Sequence, residues 1–338
     1  MPLAGVKVVE SCRRIQGPLA THILSLLGAD VVRIEPPGGD PLRGMPPVAQ
    51  GCSVRFDAIN KNKDVIEINI KESEGKQKVI DLVSNSDVFI HNWAPGKAIE
   101  LGLDFITLLS SNPDLIYSYA SGWSNTITQQ KNDFKDLPGT DFTVQAASGL
   151  ASIIAINQRK KEARGGSLFT VLDTLGGALS AQGVVIGLLS RAINRSTHYY
   201  IETSLLGASN LLCDAYLSNI YLGHAPLKES YLDSIFETKT ELIAVSLPLL
   251  DKCPDLAQLL SIPIAPDFSP SANIQRLNIL IQSFKQRSAN EWLHVLAKLN
   301  VSASIVNTDL STISKQASTQ EHLYKTHYDT VNSPWRFL

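Results

Sequence analysis

The feature that most constrains this chain is an alternation of strand and helix signals over residues 6–119. Val6-Lys7-Val8-Val9-Glu10 is a short β-branched run. Pro18 to Leu27 is apolar and helical, and Gly28 supplies the left-handed stop that ends many helices. Asp30 to Glu35 is a second strand, closed by Pro36-Pro37-Gly38-Gly39. Asp64 to Ile70 alternates polar and apolar residues, the pattern of a half-buried strand. A helix over Lys76–Val83, a strand at Val88–His91 and another at Leu115–Tyr119 continue the series. Repeated strand–helix–strand units join parallel strands by right-handed crossovers. The expected fold is α/β, a Rossmann-like large domain with a parallel sheet.

Beyond Asp141 the pattern turns helical. Asp173 to Arg191 is apolar nearly all round and rich in Gly, Ala and Ser, which predicts a buried, closely packed helix. Tyr199–Thr203 is a strand. Strand signals at Glu237–Leu247, punctuated by prolines, and helices at Asn273–Lys285 and Ala289–Leu299, the latter capped by Ser288, describe a smaller α+β unit. The expected division is 1–220 for the large domain, 221–300 for the small one, and 301–338 as a segment returning to the large domain. The length of 338 residues suits two domains.

Composition narrows the function. Thirty Lys and Arg stand against 32 Asp and Glu, so the chain is not a general nucleic-acid-coating protein. Charged residues make up only 18%, below the usual quarter, which suggests surface buried against a partner copy. Cys12, Cys52, Cys213 and Cys253 form no CxxC pair and the seven histidines are scattered, so neither a metal site nor a disulfide framework is expected. The start of the chain lacks a signal-peptide layout and no apolar run reaches 18 residues, which gives an expectation of a cytoplasmic protein without a membrane partner. Gly38-Gly39-Asp40 and Gly165-Gly166-Ser167 match neither a dinucleotide fingerprint nor a phosphate loop, and no GxSxG elbow occurs.

Several segments in order nonetheless form a pattern. They are Leu3–Glu10, Gly17-Pro18-Leu19-Ala20-Thr21, Leu27–Asp40, Asn60-Lys61-Asn62-Lys63, Asp87–Gly96 with Leu101-Gly102-Leu103, Asn112–Tyr117, Ser121-Gly122-Trp123, Gly139–Phe142, Gln145–Gly149, Glu291-Trp292 and Val301–Val306. This set resembles family III CoA-transferases, the CaiB/BaiF type that also includes α-methylacyl-CoA racemases. The resemblance implies two chains interlinked like rings in a homodimer. It also implies coenzyme A or an acyl-CoA as substrate, free or with the acyl group on a carrier-protein thiol, and a small carboxylic acid as its other substrate.

In the family an Asp lies in a V-x-D-x-x-G segment at the head of a helix, as Val171-Leu172-Asp173-Thr174-Leu175-Gly176 does here. The resemblance makes Asp173 the nucleophile that takes the acyl group as a mixed anhydride; a plain helix N-cap is the alternative that the residues themselves allow. By the same resemblance Ile15, Gln16 and Gly17 line the CoA site. Asn60, Lys61 and Lys63 approach its phosphates or ribose, Asn92 and Trp93 its adenine, and Asp141 completes the set. A solvated turn at Lys61 and Lys63, and a core or interface role for Trp93, are equally open.

The departures from the family pattern matter as much. Pro36, Ala94 and Glu100 stand where basic residues are usual, which predicts a weaker grip on CoA. No glycine-rich loop is evident between Leu222 and Asp255, and the match ends earlier than is usual. Thr140 stands where racemases carry the His of their proton shuttle, so a racemase is the lesser enzymatic reading. A non-catalytic acyl-thioester-binding subunit paired with an active relative is the third.

Overall fold

In the computed structural model of the chain, the described residues are 1–124, 137–151, 170–193, 198–223, 233–247, 253–262, 270–309, 323–325, 329–331 and 334–335. Backbone contacts divide the chain into one unit of residues 1–226 and 322–338 and a second of residues 227–321.

The first unit is built on a six-stranded sheet. Its strands are β1 (Lys7–Ser11), β2 (Asp30–Glu35), β5 (Asp64–Glu67), β6 (Val88–His91), β7 (Ile116–Ser121) and β8 (Tyr199–Ser204). They run in the order β5-β2-β1-β6-β7-β8 with every neighbouring pair parallel. The register sets Val8 beside Val31 on one side and Val88 on the other. The chain winds outward from β1 in both directions, which opens a crevice at the carboxyl ends of β1 and β6, where ligands of open α/β sheets bind. A short hairpin of β3 (Val48–Ala49) and β4 (Cys52–Ser53), followed by helix α2 (Val54–Ala58), is inserted between β2 and β5. Near the end of the chain β12 (Leu323–Lys325) pairs with β13 (Asp329–Val331).

Helix α1 (Gln16–Leu26) starts with Pro18 in its first turn, where no backbone donor is lost, and stops at Gly28 with φ 101°. Helices α3 (Ser73–Ser84), α4 (Lys97–Leu101) and α5 (Phe105–Leu109) accompany the strands that follow. Helix α6 (Asp141–Ala147) is capped by Thr140, whose side chain bonds the Thr143 backbone in a capping box. Two long helices, α7 (Val171–Ala192) and α8 (Leu205–Tyr221), flank β8.

Two sequence expectations change here. The strand at Asp64 ends at Glu67 and is exposed along its length, Val65 and Ile66 included, because β5 is the sheet edge and touches only β2. Helix α7 is buried on one face only. Gly176, Gly177, Ser180, Ala181 and Val184 turn inward, while Ile186 and Leu189 remain 57% and 60% exposed. The small residues let α1 approach closely: a Cβ at Gly177 would lie 2.7 Å from the Gln16 carbonyl oxygen.

The second unit carries the antiparallel sheet β11-β10-β9, made of β9 (Asp233–Glu237), β10 (Leu242–Ser246) and β11 (Ser302–Ile305). Helices α9 (Pro254–Leu259), α10 (Pro270–Phe284) and α11 (Ala289–Lys298) pack a core in which Phe236 stacks on Phe284 at 4.4 Å and Trp292 lies at 4.7 Å from the same ring. Ser288 caps α11 with a reciprocal bond from Glu291, as expected. The boundary expected at 300 is displaced: Ser302–Ile305 does not return to the large domain but pairs along β10, where Ile243 lies opposite Ile305.

Candidate active site

At the β1/β6 switch point the first unit holds a cavity of about 1360 Å³. It exceeds the roughly 300–1,000 Å³ of most small-molecule sites and has room for a long ligand. Its walls come from segments far apart in sequence: residues 11–16 after β1, the loop after β2, the 53–59 stretch, Asn69–Lys71, residues 92–97 after β6, and the starts of α6 and α7.

Asp173 lies on this wall, and its position settles the capping question. The residue preceding α7 is Thr170, and Asp173 is the third helical residue, so it is not the N-cap. Its backbone N–H donates at 2.8 Å to Oδ2 of Asp141, which satisfies a donor that a helix start leaves unpaired. The Asp173 carboxyl accepts no hydrogen bond from the described residues. Burial, and then the Asp141 carboxylate beside it, push its pKa up from 3.8 to about 7, with Arg14 pulling the other way. An acid with that value holds a proton in part of the population at neutral pH and is a stronger base and nucleophile when ionised.

Asp141 has both oxygens engaged, Oδ2 by the Asp173 N–H and Oδ1 by the Gln145 amide. It lines the cavity, as expected, and its bond to the Asp173 N–H braces the head of α7. The same bond removes the Asp173 N–H from the donors available to a thioester oxyanion.

The other expected ligands divide sharply. Ile15, Gln16, Asn92 and Trp93 line the cavity. Gln16 is nearly buried, its Nε2 finds no partner among the described residues, and a Cβ at Gly176 would press within 3.0 Å of it. Asn92, however, spends its amide on the backbone of Arg13, accepting its N–H at 2.8 Å and donating to its carbonyl at 2.7 Å. That pins the loop after β1. Trp93 serves in two ways: its ring contributes to the wall and also packs on His91 and Phe89, at 4.6 and 5.8 Å.

Gly17, Asn60, Lys61 and Lys63 are not on the cavity wall. Gly17 is buried where a Cβ would strike the Cys12 sulfur at 2.3 Å, so glycine is required for packing. Lys63 is buried beneath the site. Its Nζ donates to Glu10 Oε2 at 2.7 Å, to the Pro18 carbonyl at 2.8 Å and to Asn60 Oδ1 at 2.8 Å, which exhausts its three donors. Arg33 completes the cluster, bonded to Glu10, to Asp40 at 2.7 Å and to Glu35 at 3.1 Å. Burial pushes the Glu10 carboxyl up, but Lys63 and Arg33 outweigh it and hold the group below its usual range. Asn60 and Lys63 are thus engaged within the buried cluster and lie off the cavity wall. Lys61 is half-buried, and burial lowers its pKa against the opposing pull of Asp57.

The cavity has cations of its own: Arg13, Arg14, Arg55, Lys71 and Lys97. None was singled out from the sequence, where single basic residues in loops carry no pattern. Glu100, at one of the positions usually basic, forms an ion pair with Lys97. Thr140 caps α6, so no proton-shuttling group stands beside Asp141 at that position. Among the described residues no group of three or more His, Cys, Asp or Glu side chains could hold a metal.

Comparison with known proteins places this arrangement. The profile of CoA-transferase family III matches residues 3–336. The human succinyl-CoA:glutarate CoA-transferase is 28% identical over 324 residues, covering 90% of this chain and 72% of its own length. The cinnamoyl-CoA:phenyllactate CoA-transferase of Clostridium sporogenes is 34% identical over 151 residues, covering 43% of this chain and 35% of its own length. The crystal structure of the Mycobacterium tuberculosis protein Rv3272 superposes with a TM-score of 0.85 at 22% identity, over 100% of this chain and 93% of its own. A family match over nearly the whole chain, on a parallel sheet with its cavity at the β1/β6 switch point, identifies this chain as a member of CoA-transferase family III.

Proposed function

We propose that the chain transfers CoA between carboxylic acids, with Asp173 as nucleophile. The observation that carries the reading is a carboxyl on the cavity wall, without hydrogen-bond donors of its own and with a pKa near 7. In the first step an ionised Asp173 oxygen attacks the thioester carbonyl, the C–S bond breaks, and CoA leaves as thiolate, giving an acyl–aspartyl anhydride. The thiolate then attacks the aspartyl carbonyl, releasing the first acid as carboxylate and leaving an aspartyl-CoA thioester. An incoming carboxylate attacks that thioester and expels the thiolate. The thiolate in turn attacks the new acyl carbonyl, forming the product thioester and restoring Asp173. No oxidant, metal or net proton is consumed. Asp141 orients the attacking group by holding its backbone. Lys71 and the two arginines at 13 and 55 are available to the anionic end of CoA.

The functional unit in this reading is a homodimer. Ile186 and Leu189 on α7 and Leu211, Leu212 and Leu217 on α8 are exposed apolar side chains on two long helices of one unit, a surface fitted to a second copy. Light scattering at micromolar protein should give twice the chain mass, and a monomer would refute the assembly.

The transfer reading is tested by intact-mass spectrometry of the protein with a panel of acyl-CoAs. An adduct on the wild-type chain that is absent from Asp173→Asn, measured before deamidation can restore Asp, is the expected result. Undiminished turnover in that variant would overturn the assignment.

A further inference from the structure

Gln145 is fully buried in α6. An amide taken out of water costs free energy unless it is bonded. Its Nε2 donates to Oδ1 of Asp141, one turn earlier on the same helix, where residues four apart are neighbours. The other oxygen of that carboxylate, Oδ2, accepts the Asp173 N–H at 2.8 Å. Three residues thus form a chain of bonds from the interior of α6 to the backbone of the candidate nucleophile.

The helix that carries this chain is itself held at both ends. Before it, Gly139 packs against Gly122, just after β7: a Cβ at Gly139 would lie 2.7 Å from the Gly122 Cα. The Thr140 capping box closes the first turn. After it, the Ser148 hydroxyl bonds the Ser209 hydroxyl of α8 at 2.6 Å. Val144 on α6 and Leu172, next to Asp173, are both fully buried in one apolar cluster. The terminal torsion of an Asp side chain is soft, so a carboxylate bonded through one oxygen can still swing. Gln145 bonds the second oxygen and turns Asp141 into a fixed acceptor.

We propose that Gln145 is a positioning residue for acyl transfer. Through Asp141 it fixes the backbone of Asp173, and so the direction from which that carboxyl meets the thioester carbonyl. The proposal rests on the reading of Asp173 as the nucleophile. Gln145 does not line the cavity, so its effect falls on the rate of the chemical step and not on the binding of CoA. Attack geometry is steep in distance: a misplacement of about 1 Å can cost about a hundredfold in rate.

The test is a double-mutant cycle with Asp141 on the full-length protein. Gln145→Met keeps the length of the side chain and loses the donor; Asp141→Ala removes the carboxylate through which it acts. Two quantities are measured: the rate of covalent labelling of the chain by an acyl-CoA, from quenched samples by intact-mass spectrometry, and the dissociation constant of CoA by calorimetry. The thioester is whichever of acetyl-CoA, succinyl-CoA and cinnamoyl-CoA labels the wild type fastest. Gln145→Met should slow labelling by about tenfold to a hundredfold and leave the CoA dissociation constant within about twofold. Asp141→Ala should slow it by a similar factor, and the double variant should be no slower than Asp141→Ala alone. Gln145→Glu, of the same length but with a charge facing Asp141, should be at least as slow as Gln145→Met, and takes its place in the cycle if Gln145→Met does not fold. Wild-type labelling by Gln145→Met, losses that multiply in the double variant, or a loss of rate matched by an equal loss of CoA affinity overturns the proposal. Any of these, with Asp173→Asn unlabelled, leaves the nucleophile reading in place. Labelling of Asp173→Asn, or no labelling of the wild type by any of the three thioesters, overturns that reading and the proposal with it.

Discussion

Replacing Asp173 by Asn should make the protein more stable and inactive at once, and the two effects should depend on pH in linked ways. The folded-state pKa of Asp173 is about 7, against an ordinary 3.8. Well below pH 3.8 the carboxyl is neutral in both folded and unfolded chains, and its ionisation contributes nothing to stability. As pH rises through 3.8 the unfolded chain ionises freely while the folded one must keep the proton or place a charge beside Asp141. The penalty grows until the folded group also ionises near 7, and is constant above that. About three pH units at 1.36 kcal/mol each give a ceiling of about 4 kcal/mol. Partial exposure to solvent and the favourable helix start lower this to about 2–3 kcal/mol. Asn carries no charge, so Asp173→Asn should exceed the wild type by that amount at pH 8 and match it near pH 3. Urea denaturation of both proteins at pH 3, 6 and 8 provides the comparison. The same ionisation gates the chemistry, so wild-type kcat/KM should climb with pH through about 7. A stability gap that is flat with pH, or a variant less stable than wild type at pH 8, would refute the argument that Asp173 is held against its own charge.

Three further outcomes follow from the packing around the site. Lys63→Met leaves Glu10 without one of its two buried cations and should cost about 3–5 kcal/mol in denaturant titration, with little change in CoA affinity if the protein is assayed below its unfolding range. Gly177→Ala should destabilise despite the gain of about 1 kcal/mol that alanine brings to a helix. The new Cβ meets backbone at 2.7 Å, and the displacement of α1 that relieves it should cost about 1–3 kcal/mol. Glu100→Gln releases Lys97 toward the cavity and should tighten CoA binding by calorimetry, by less than about tenfold because the pair is solvent-exposed.

How much of this was legible in the sequence differs from residue to residue. The parallel sheet followed from β-branched runs separated by helices, and Gly28 and Ser288 ended and began helices as their types require. The nucleophile candidate came from the resemblance of Val171–Gly176 to the family's Asp segment, not from residue types alone. Which of the expected residues reach the cavity was not legible, because only the fold shows that Lys63 is buried while Ile15, Gln16, Asn92, Trp93 and Asp141 line the wall. Lys63 lies under the cavity only because the turn that carries it folds beneath α1 and meets Glu10, 53 positions earlier. That Asn92 also braces Arg13, a partner 79 positions away, could be seen only in the fold. Arg14 had no signal at all, since no residue type announces a left-handed backbone there. The edge strand and the half-exposed α7 differ from expectation because apolar patterning does not say which faces a neighbouring element covers, and β5 has only β2 beside it.

The position of the cavity at the sheet's switch point has a consequence for folding. Its walls are brought together by the pairing of β1 with β6, partners about eighty residues apart, and by the docking of α7 beside α1, more than 150 residues away. Contacts of such separation form late, after the loop entropy between them has been overcome. Asp173, its brace Asp141 and the cationic wall therefore come into register only once these distant segments have met. A ligand that spans the cavity ties these distant segments together. Saturating thioester at a hundred times its dissociation constant should therefore stabilise this unit by about 2.7 kcal/mol, and make it as a whole slower to unfold.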